Sequence, residues 1–359
     1  MAIPLFASSL EEYQPRIAQR LAEVAASGRY ILGPEVEAFE RELAEYLGVE
    51  HCVGVANGTD ALMIALRALG VGAGDEVVVP SFTFYATAEA VAAIGARPVF
   101  CDIDPDTYCV TAETVREVLT PATKAVIPVH LFGNVAPVPE LRELGIPVVE
   151  DAAQAVGASL DGARAGTLSE LATFSFFPAK NLPCLGDGGA IATGDAELAA
   201  RVRRLRFHGS EDKSTFVEVG YNSRLDEIQA AVLRILLPEL EGWNAARRAV
   251  AAAYERHGVA AHVQPPRPVE DAEHVYHLYV VRSERAEELR AALAAAGIES
   301  RGYYRVPLHR QPALAGYAAG AELPATDLAA RTHLALPMGT GLSDDQVREV
   351  VEACASGLT

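Results

Sequence analysis

The chain has 359 residues, half of them hydrophobic and 22% charged, which is enough to bury a sizeable core without covalent staples and excludes a disordered chain. With 48 acidic against 30 basic residues the formal net charge is −18, which argues against a general nucleic-acid or anionic-membrane binder. No stretch nears the roughly 18 apolar residues of a membrane span, residues 1–5 lack the basic start of a signal peptide, and five cysteines without a C-x-x-C pair read as free thiols of a cytoplasmic protein.

Residues 34–47 carry apolar side chains at helical spacing behind a proline and are followed by Gly48, so a helix is predicted there. Short apolar runs follow at 51–56, 76–80, 98–101, 125–130, 147–150, 172–177 and 189–193. Helical stretches near 60–69, 84–94, 111–119 and 136–144 separate the first five. This alternation predicts an α/β fold whose mostly parallel sheet is covered on both faces. The last two runs flank a glycine-rich loop and predict a hairpin with one antiparallel strand. Residues 223–237 and 239–257 predict two long helices broken at Pro238. After a proline-rich linker come a strand over 275–281, a helix over 284–296, a strand over 298–303 and a last helix over 343–354, a small α+β unit.

Lysine is scarce. Lys124, Lys180 and Lys213 are the only three, so any lysine chemistry comes from this set. Lys124 and Lys213 lie in polar surroundings and read as surface residues. Lys180 follows the aromatic run Phe174-Ser175-Phe176-Phe177 and precedes Gly186-Asp187-Gly188-Gly189. At the lip of a sheet its amine would have a lowered pKa and act as a nucleophile; a loop lysine in solvent is the plain alternative. Asp151 sits at the carboxyl end of an apolar run, where an open α/β sheet presents ligand-binding groups. It either caps the next helix or pairs with a buried cation such as a protonated pyridine nitrogen. Asn57-Gly58-Thr59-Asp60 joins a strand to a helix and suits an anion at the helix N-terminus, or simple capping. Ser175 could add a hydroxyl to the same anion. In Pro80-Ser81-Phe82-Thr83-Phe84-Tyr85 one aromatic could stack on a flat heterocycle, with Phe82 the better fit to the core. His274 and His277 alternate along a predicted strand, one facing solvent and one packed, and no metal site is expected. Arg201, Arg203, Arg204 and Arg206 read mainly as a solvated helix face that could also attract a diphosphate. A Rossmann dehydrogenase would need G-x-G-x-x-G after the first strand, which residues 54–58 do not supply.

An amine, an acid, a phosphate cradle and a stacking aromatic at strand ends are the parts of a pyridoxal-phosphate (PLP) site. With Gly74-Asp75-Glu76-Val77, Asp102-Ile103-Asp104, Glu150-Asp151-Ala152-Ala153-Gln154, Ser175-Phe176-Phe177-Pro178-Ala179-Lys180-Asn181-Leu182 and Gly220-Tyr221-Asn222-Ser223-Arg224-Leu225, the chain resembles the DegT/DnrJ family of sugar aminotransferases, from about residue 10 to its end. The resemblance implies fold type I of the PLP-dependent transferases, with a mostly parallel seven-stranded sheet between helices. It implies a large domain over 1–238 with an N-terminal arm over 1–33, and a smaller α+β domain over 239–359. By the same resemblance Lys180 carries the cofactor and shuttles the proton, and Asp151 pairs with the ring nitrogen. Gln154 lies beside the ring, Phe84 stacks on it, and Gly58, Thr59, Asp60 and Ser175 hold the phosphate. Asn222 reaches the phosphate of a neighbouring subunit, so a homodimer with shared active sites is implied. Arg224, Tyr304 and His309 are candidate substrate contacts. PLP and its amino form PMP are the cofactor forms. The implied reaction moves an amino group, with glutamate as donor, to a nucleotide-linked 3- or 4-keto deoxysugar; a keto-cyclitol is the alternative acceptor. Cys184 and the run Tyr303-Tyr304-Arg305-Val306 depart from the usual family pattern.

Overall fold

Seven strands build the central sheet in a computed structural model that describes every residue except Met1, Ser9, Ala319 and Thr359. They are β1 (His51–Val55), β2 (Glu76–Pro80), β3 (Arg97–Cys101), β4 (Thr123–Val126), β5 (Val149–Asp151), β6 (Leu171–Ser175) and β7 (Gly189–Thr193). The order β1-β7-β6-β5 continues through the parallel bridges Val126–Val148 and Val129–Asp151 into β4-β2-β3. Only β7 runs against its neighbours, pairing Ser175 with Gly189 on one side and Val55 with Gly189 on the other. The expected hairpin and single antiparallel strand are therefore present.

The strands are largely apolar because both faces are covered. Val53, Val55, Leu171 and Ile191 pack with helices Gly58–Ala68, Ala86–Ala93 and Ala196–Arg206. Their alternates Cys52, Ala172, Phe174, Ala190 and Ala192 pack with Pro34–Leu47 and Glu227–Leu236 on the other side. The two-residue period of a strand sends neighbours to opposite faces, so a doubly covered strand has no polar side.

The later part of the chain departs from the sequence reading. The helix expected from residue 223 begins at Glu227. Residues 222–226 are instead tied to other segments: Ser223 N–H donates to the Arg206 carbonyl at 3.0 Å, and the Ser223 hydroxyl accepts from Ala56 N–H at 3.1 Å. The strand expected over 275–281 is confined to Tyr279–Arg282, paired antiparallel with His333–Leu336. Residues 298–303 make only single bridges, from Ile298 to Ile3 and from Arg301 to Ala335. Two helices, Gln14–Ser27 and Pro324–Thr332, were not anticipated. The expected arm over 1–33 divides: Ile3 packs with Tyr254, Tyr279 and Leu293, while Ile17 of helix Gln14–Ser27 joins the cluster around Phe39 and Leu236.

One carboxylate fixes this second face. Glu227, buried at 1% exposure, accepts from Gly33 N–H and Val36 N–H at 2.9 Å and from Glu35 N–H at 3.0 Å. These are the orphan donors of helix Pro34–Leu47, held here by a residue 191 positions away rather than by a local cap. A Cβ on Gly33 would lie 2.8 Å from the Glu227 carboxylate, so that position has no room for a side chain. Glu227→Ala leaves three buried amides without an acceptor and should cost about 2–4 kcal/mol. A lowered thermal midpoint by calorimetry is the expected result, with Glu227→Gln losing less; an unchanged midpoint for the alanine variant would show that the helix start does not depend on this residue.

Candidate active site

The chemistry-bearing residues converge on one edge of the sheet. Asn57 follows β1, Ser81–Phe84 follow β2, Asp151 ends β5 and Ser175 ends β6. Because β7 is antiparallel, its first residue, Gly189, lies at that edge too.

Lys180 sits in the turn after β6, its N–H donating to the Phe177 carbonyl at 2.8 Å. Its side chain is half-buried, and this desolvation lowers the ammonium pKa to about 8, with the Asp151 charge pulling the other way. Lys124 and Lys213 are exposed, and Lys213 rests over the Phe207 ring at 4.9 Å. Of the three lysines only Lys180 lies close enough for its charge to act on the buried acid.

Asp151 is 5% exposed. It accepts from Thr87 Oγ1 at 3.0 Å and from Ala153 N–H at 3.2 Å. Burial raises its pKa; those two hydrogen bonds and the Lys180 charge only partly offset it. The sole nearby amine is thus itself partly desolvated, and the carboxylate is left short of a full cationic partner. Helix capping does not account for this: Asp151 ends a strand and its two donors come from a loop amide and from helix Ala86–Ala93.

Gln154 is held at both ends. Its Oε1 accepts from Phe132 N–H at 2.7 Å, and its amide donates to the Tyr304 hydroxyl at 3.1 Å. The Phe84 ring is 56% exposed and lies 6.0 Å from Tyr304, tilted 40°. Phe82 is fully buried and stacks on Tyr108, as its apolar context predicted. Supporting this loop, Glu150 is completely buried and accepts from His130 Nε2, Gly166 N–H, Leu168 N–H and Ser169 Oγ.

The anion cradle forms where β1 feeds helix Gly58–Ala68. Asn57 Oδ1 accepts from Asp60 N–H at 2.8 Å. That amide is engaged in capping the helix by Asn57. The amides of Gly58 and Thr59 have no acceptor among the described residues and point out of the first turn. A Cβ on Gly58 would stand 2.8 Å from Ser175 Cβ, so only glycine brings this backbone against β6.

Other candidates fall elsewhere. Asn222 is exposed, its backbone bridged to Phe207, and Arg224 is half-buried. His309 is enclosed: Nδ1 lies 2.7 Å from Ser81 Oγ, and Nε2 is 3.5 Å from Asp327. Those contacts tie the segment to the end of β2 rather than to Lys180. His274 and His277 are both buried, against the expectation that one faces solvent. Tyr276, at φ 44°, breaks the strand alternation and turns both rings inward. Burial lowers the His274 pKa to about 3 and holds His277 well below its usual range. Among the described residues no group of three or more His, Cys, Asp or Glu could hold a metal ion. The arginine cluster is not a free patch either. Arg201 and Arg204 pair with Glu218, and Arg206 is buried against Glu40 at 2.5 Å. Thr87 and Arg247 went unnoticed in the sequence. Thr87 lies one helical turn after Thr83, with their hydroxyls 3.4 Å apart, and only that spacing could have flagged it.

The DegT/DnrJ/EryC1/StrS aminotransferase family matches residues 11–355. The chain belongs to this family. The aminotransferase is 47% identical over 96% of its length, and 93% of the relative's, to a dTDP-3-amino-3,4,6-trideoxy-alpha-D-glucose transaminase of Streptomyces venezuelae. Among solved structures, it superposes on S. venezuelae DesV in complex with a ketimine intermediate at a TM-score of 0.95 and 46% identity, covering 98% of this chain and 97% of that one. It also superposes on NtdA of Bacillus subtilis with bound PMP at 0.91 and 31% identity, covering 98% and 83%. The fold is thus fold type I, and PLP is the cofactor of the enzyme. Its residues suit that group: a buried carboxylate short of a cation, a half-buried amine, two unengaged amides at a helix start, and an exposed ring beside Tyr304. No helix among the described residues is long and apolar enough to cross a membrane.

Proposed function

We propose that the enzyme transfers an amino group from glutamate to a nucleotide-linked 3- or 4-keto deoxysugar. The half-buried Lys180 amine and the buried Asp151 carboxyl at the carboxyl edge of the sheet, each feeling the other's charge, carry this reading of the site, and the transaminase name of the S. venezuelae relative supports the sugar class. The test is an amino-transfer assay with glutamate against a panel of nucleotide-linked keto-sugars and free keto-cyclitols. Turnover of the cyclitols alone would refute the sugar assignment.

PLP, when bound, supplies the electron sink for exchange of the amino group. Lys180 Nζ, at a pKa of about 8, is neutral in a useful fraction near neutral pH and can both attach the cofactor and take and return a proton. Asp151 would sit against the ring nitrogen and hold a proton there. Gly58, Thr59 and Ser175 would bind the phosphate, with the Asp60 side chain at the same helix start. Phe84 would cover one face of the ring, and Gln154, fixed by Phe132 and Tyr304, would border it. Arg224, Tyr304 and His309 remain the substrate candidates, His309 acting through Ser81. The division at 238/239, with the cofactor held by the first part, and a cytoplasmic location complete the reading.

The dimer is part of the proposal. Asn222 is exposed, and the nearby Phe216, Val217 and Val219 are 59%, 67% and 84% exposed. A two-fold partner would cover such a loop and receive Asn222 at its phosphate. Mixing inactive Lys180→Ala with inactive Asn222→Asp subunits should restore activity, because a hybrid dimer contains one site with both native residues. A fully active monomer by light scattering at assay concentration would rule out shared sites.

A further inference from the structure

Next to Lys180 a cavity of about 180 Å³ opens, lined by Phe6, Ser8, Trp243, Arg247 and Thr340 among others. Arg247 is 4% exposed, and no carboxylate pairs with it among the described residues. Its guanidinium donates to the Tyr276 carbonyl at 3.1 Å and to Ser8 Oγ at 3.3 Å, and its buried Nε has no partner among the described residues. The other buried arginine among the described residues is not left so: Arg206 meets Glu40. A buried guanidinium without a counter-charge costs stability, so its place beside the reactive amine calls for an anion that arrives from outside. Ser8 Oγ accepts from Arg247 and from Thr340 N–H, which leaves its own hydrogen to donate into the same space. The His277 ring feels the charges of both Lys180 and Arg247, so the two cations flank one short stretch of the site.

We propose that Arg247 binds the carboxylate of the amino-acid donor. This deepens the reading given under Proposed function and rests on it. The cavity is smaller than the ~300–1,000 Å³ that holds larger ligands, so it suits the end of an amino acid and not a nucleoside diphosphate. The donor's amine must come to the Lys180 position, and its α-carboxylate, one carbon away, is the anion delivered beside it. A planar guanidinium favours two-point contact with a carboxylate.

The two half-reactions of PLP-loaded protein separate this from other roles. In Arg247→Met, kcat/KM for conversion to the PMP form by L-glutamate should fall roughly 10- to 100-fold, as loss of a charged hydrogen-bonded contact predicts, mostly through KM. Arg247→Lys should recover part of it. Discharge of the PMP form by the keto-sugar should stay within about twofold. Glutarate, an unreactive dicarboxylate, should bind the methionine variant more weakly by a similar factor in calorimetry, and its thermal midpoint should not drop, because an unpaired buried charge has been removed. Slowing of the keto-sugar step alone would mean that the anion is the diphosphate and would overturn the proposal. So would equal slowing of both steps, or a lower midpoint with unchanged glutamate and glutarate affinity. If wild-type protein neither took up PLP nor transferred an amino group, the functional reading itself would fail, and glutarate binding would still judge Arg247.

Discussion

Lys180→Ala should lose amino transfer by a factor of roughly 10⁴ or more, since one residue supplies both the nucleophile and the proton shuttle. The chain should stay folded. The turn that carries Lys180 is closed by its backbone N–H to Phe177, and no side-chain hydrogen bond of Lys180 is made among the described residues. The variant should still retain PLP without the covalent link, because the cradle at Gly58, Thr59 and Ser175 is untouched. Borohydride reduction of wild-type protein, then peptide mapping, should place the label on Lys180. Recovery of the label on Lys124 or Lys213 would defeat the assignment. The site also predicts a pH signature in the cofactor-free protein. Burial stabilises the neutral amine, so acylation at Lys180 should reach half its limiting rate near pH 8, two to three units below a lysine in water.

Asp151→Asn should lower turnover by roughly 10²–10³-fold, the range for removal of one preorganised electrostatic group. Asparagine preserves size and can still accept from Ala153 N–H through Oδ1 while its amide donates to the Thr87 hydroxyl, but it cannot hold a proton on the ring nitrogen. Stability should move little or rise in cofactor-free protein. The direction follows from linkage. Burial raises the folded-state pKa of Asp151, so its ionised form is disfavoured in the fold. The favourable contribution of a raised carboxyl is present below the ordinary carboxylate range and is lost as pH rises through the folded value. At neutral pH the carboxylate is therefore a cost, which the neutral amide relieves. Near-wild-type turnover in this variant, measured at saturating PLP, would reduce Asp151 to a structural residue.

Much of this protein is written in local sequence. Three lysines, one of them between an aromatic strand and a glycine-rich loop, left few choices for the amine. Short runs with few polar positions required a sheet covered on both faces, and that sheet type places Asn57, Asp151 and Ser175 at one edge. Strands 76–80 and 189–193 and helix 34–47 lie where the pattern put them, because period, proline and glycine act within a few residues. Contacts made across the fold decided the rest. Helix Glu227–Leu236 starts late because residues 222–226 bond to Ala56 and Arg206, and propensity cannot register partners so distant in sequence. Both histidines near 275 are buried because one residue at positive φ overrides strand alternation. The third amide of the cradle is engaged by Asn57, a choice between capping and anion binding that the motif itself left open. Gln154 finds Tyr304 150 positions away, and Arg247, on a helix with no local sign of function, comes to lie beside Lys180. Local patterns set which segments become strands and helices, because their causes are nearest-neighbour sterics and periodic burial. Which side chains meet, and which buried charge lacks a partner, depends on how those segments pack.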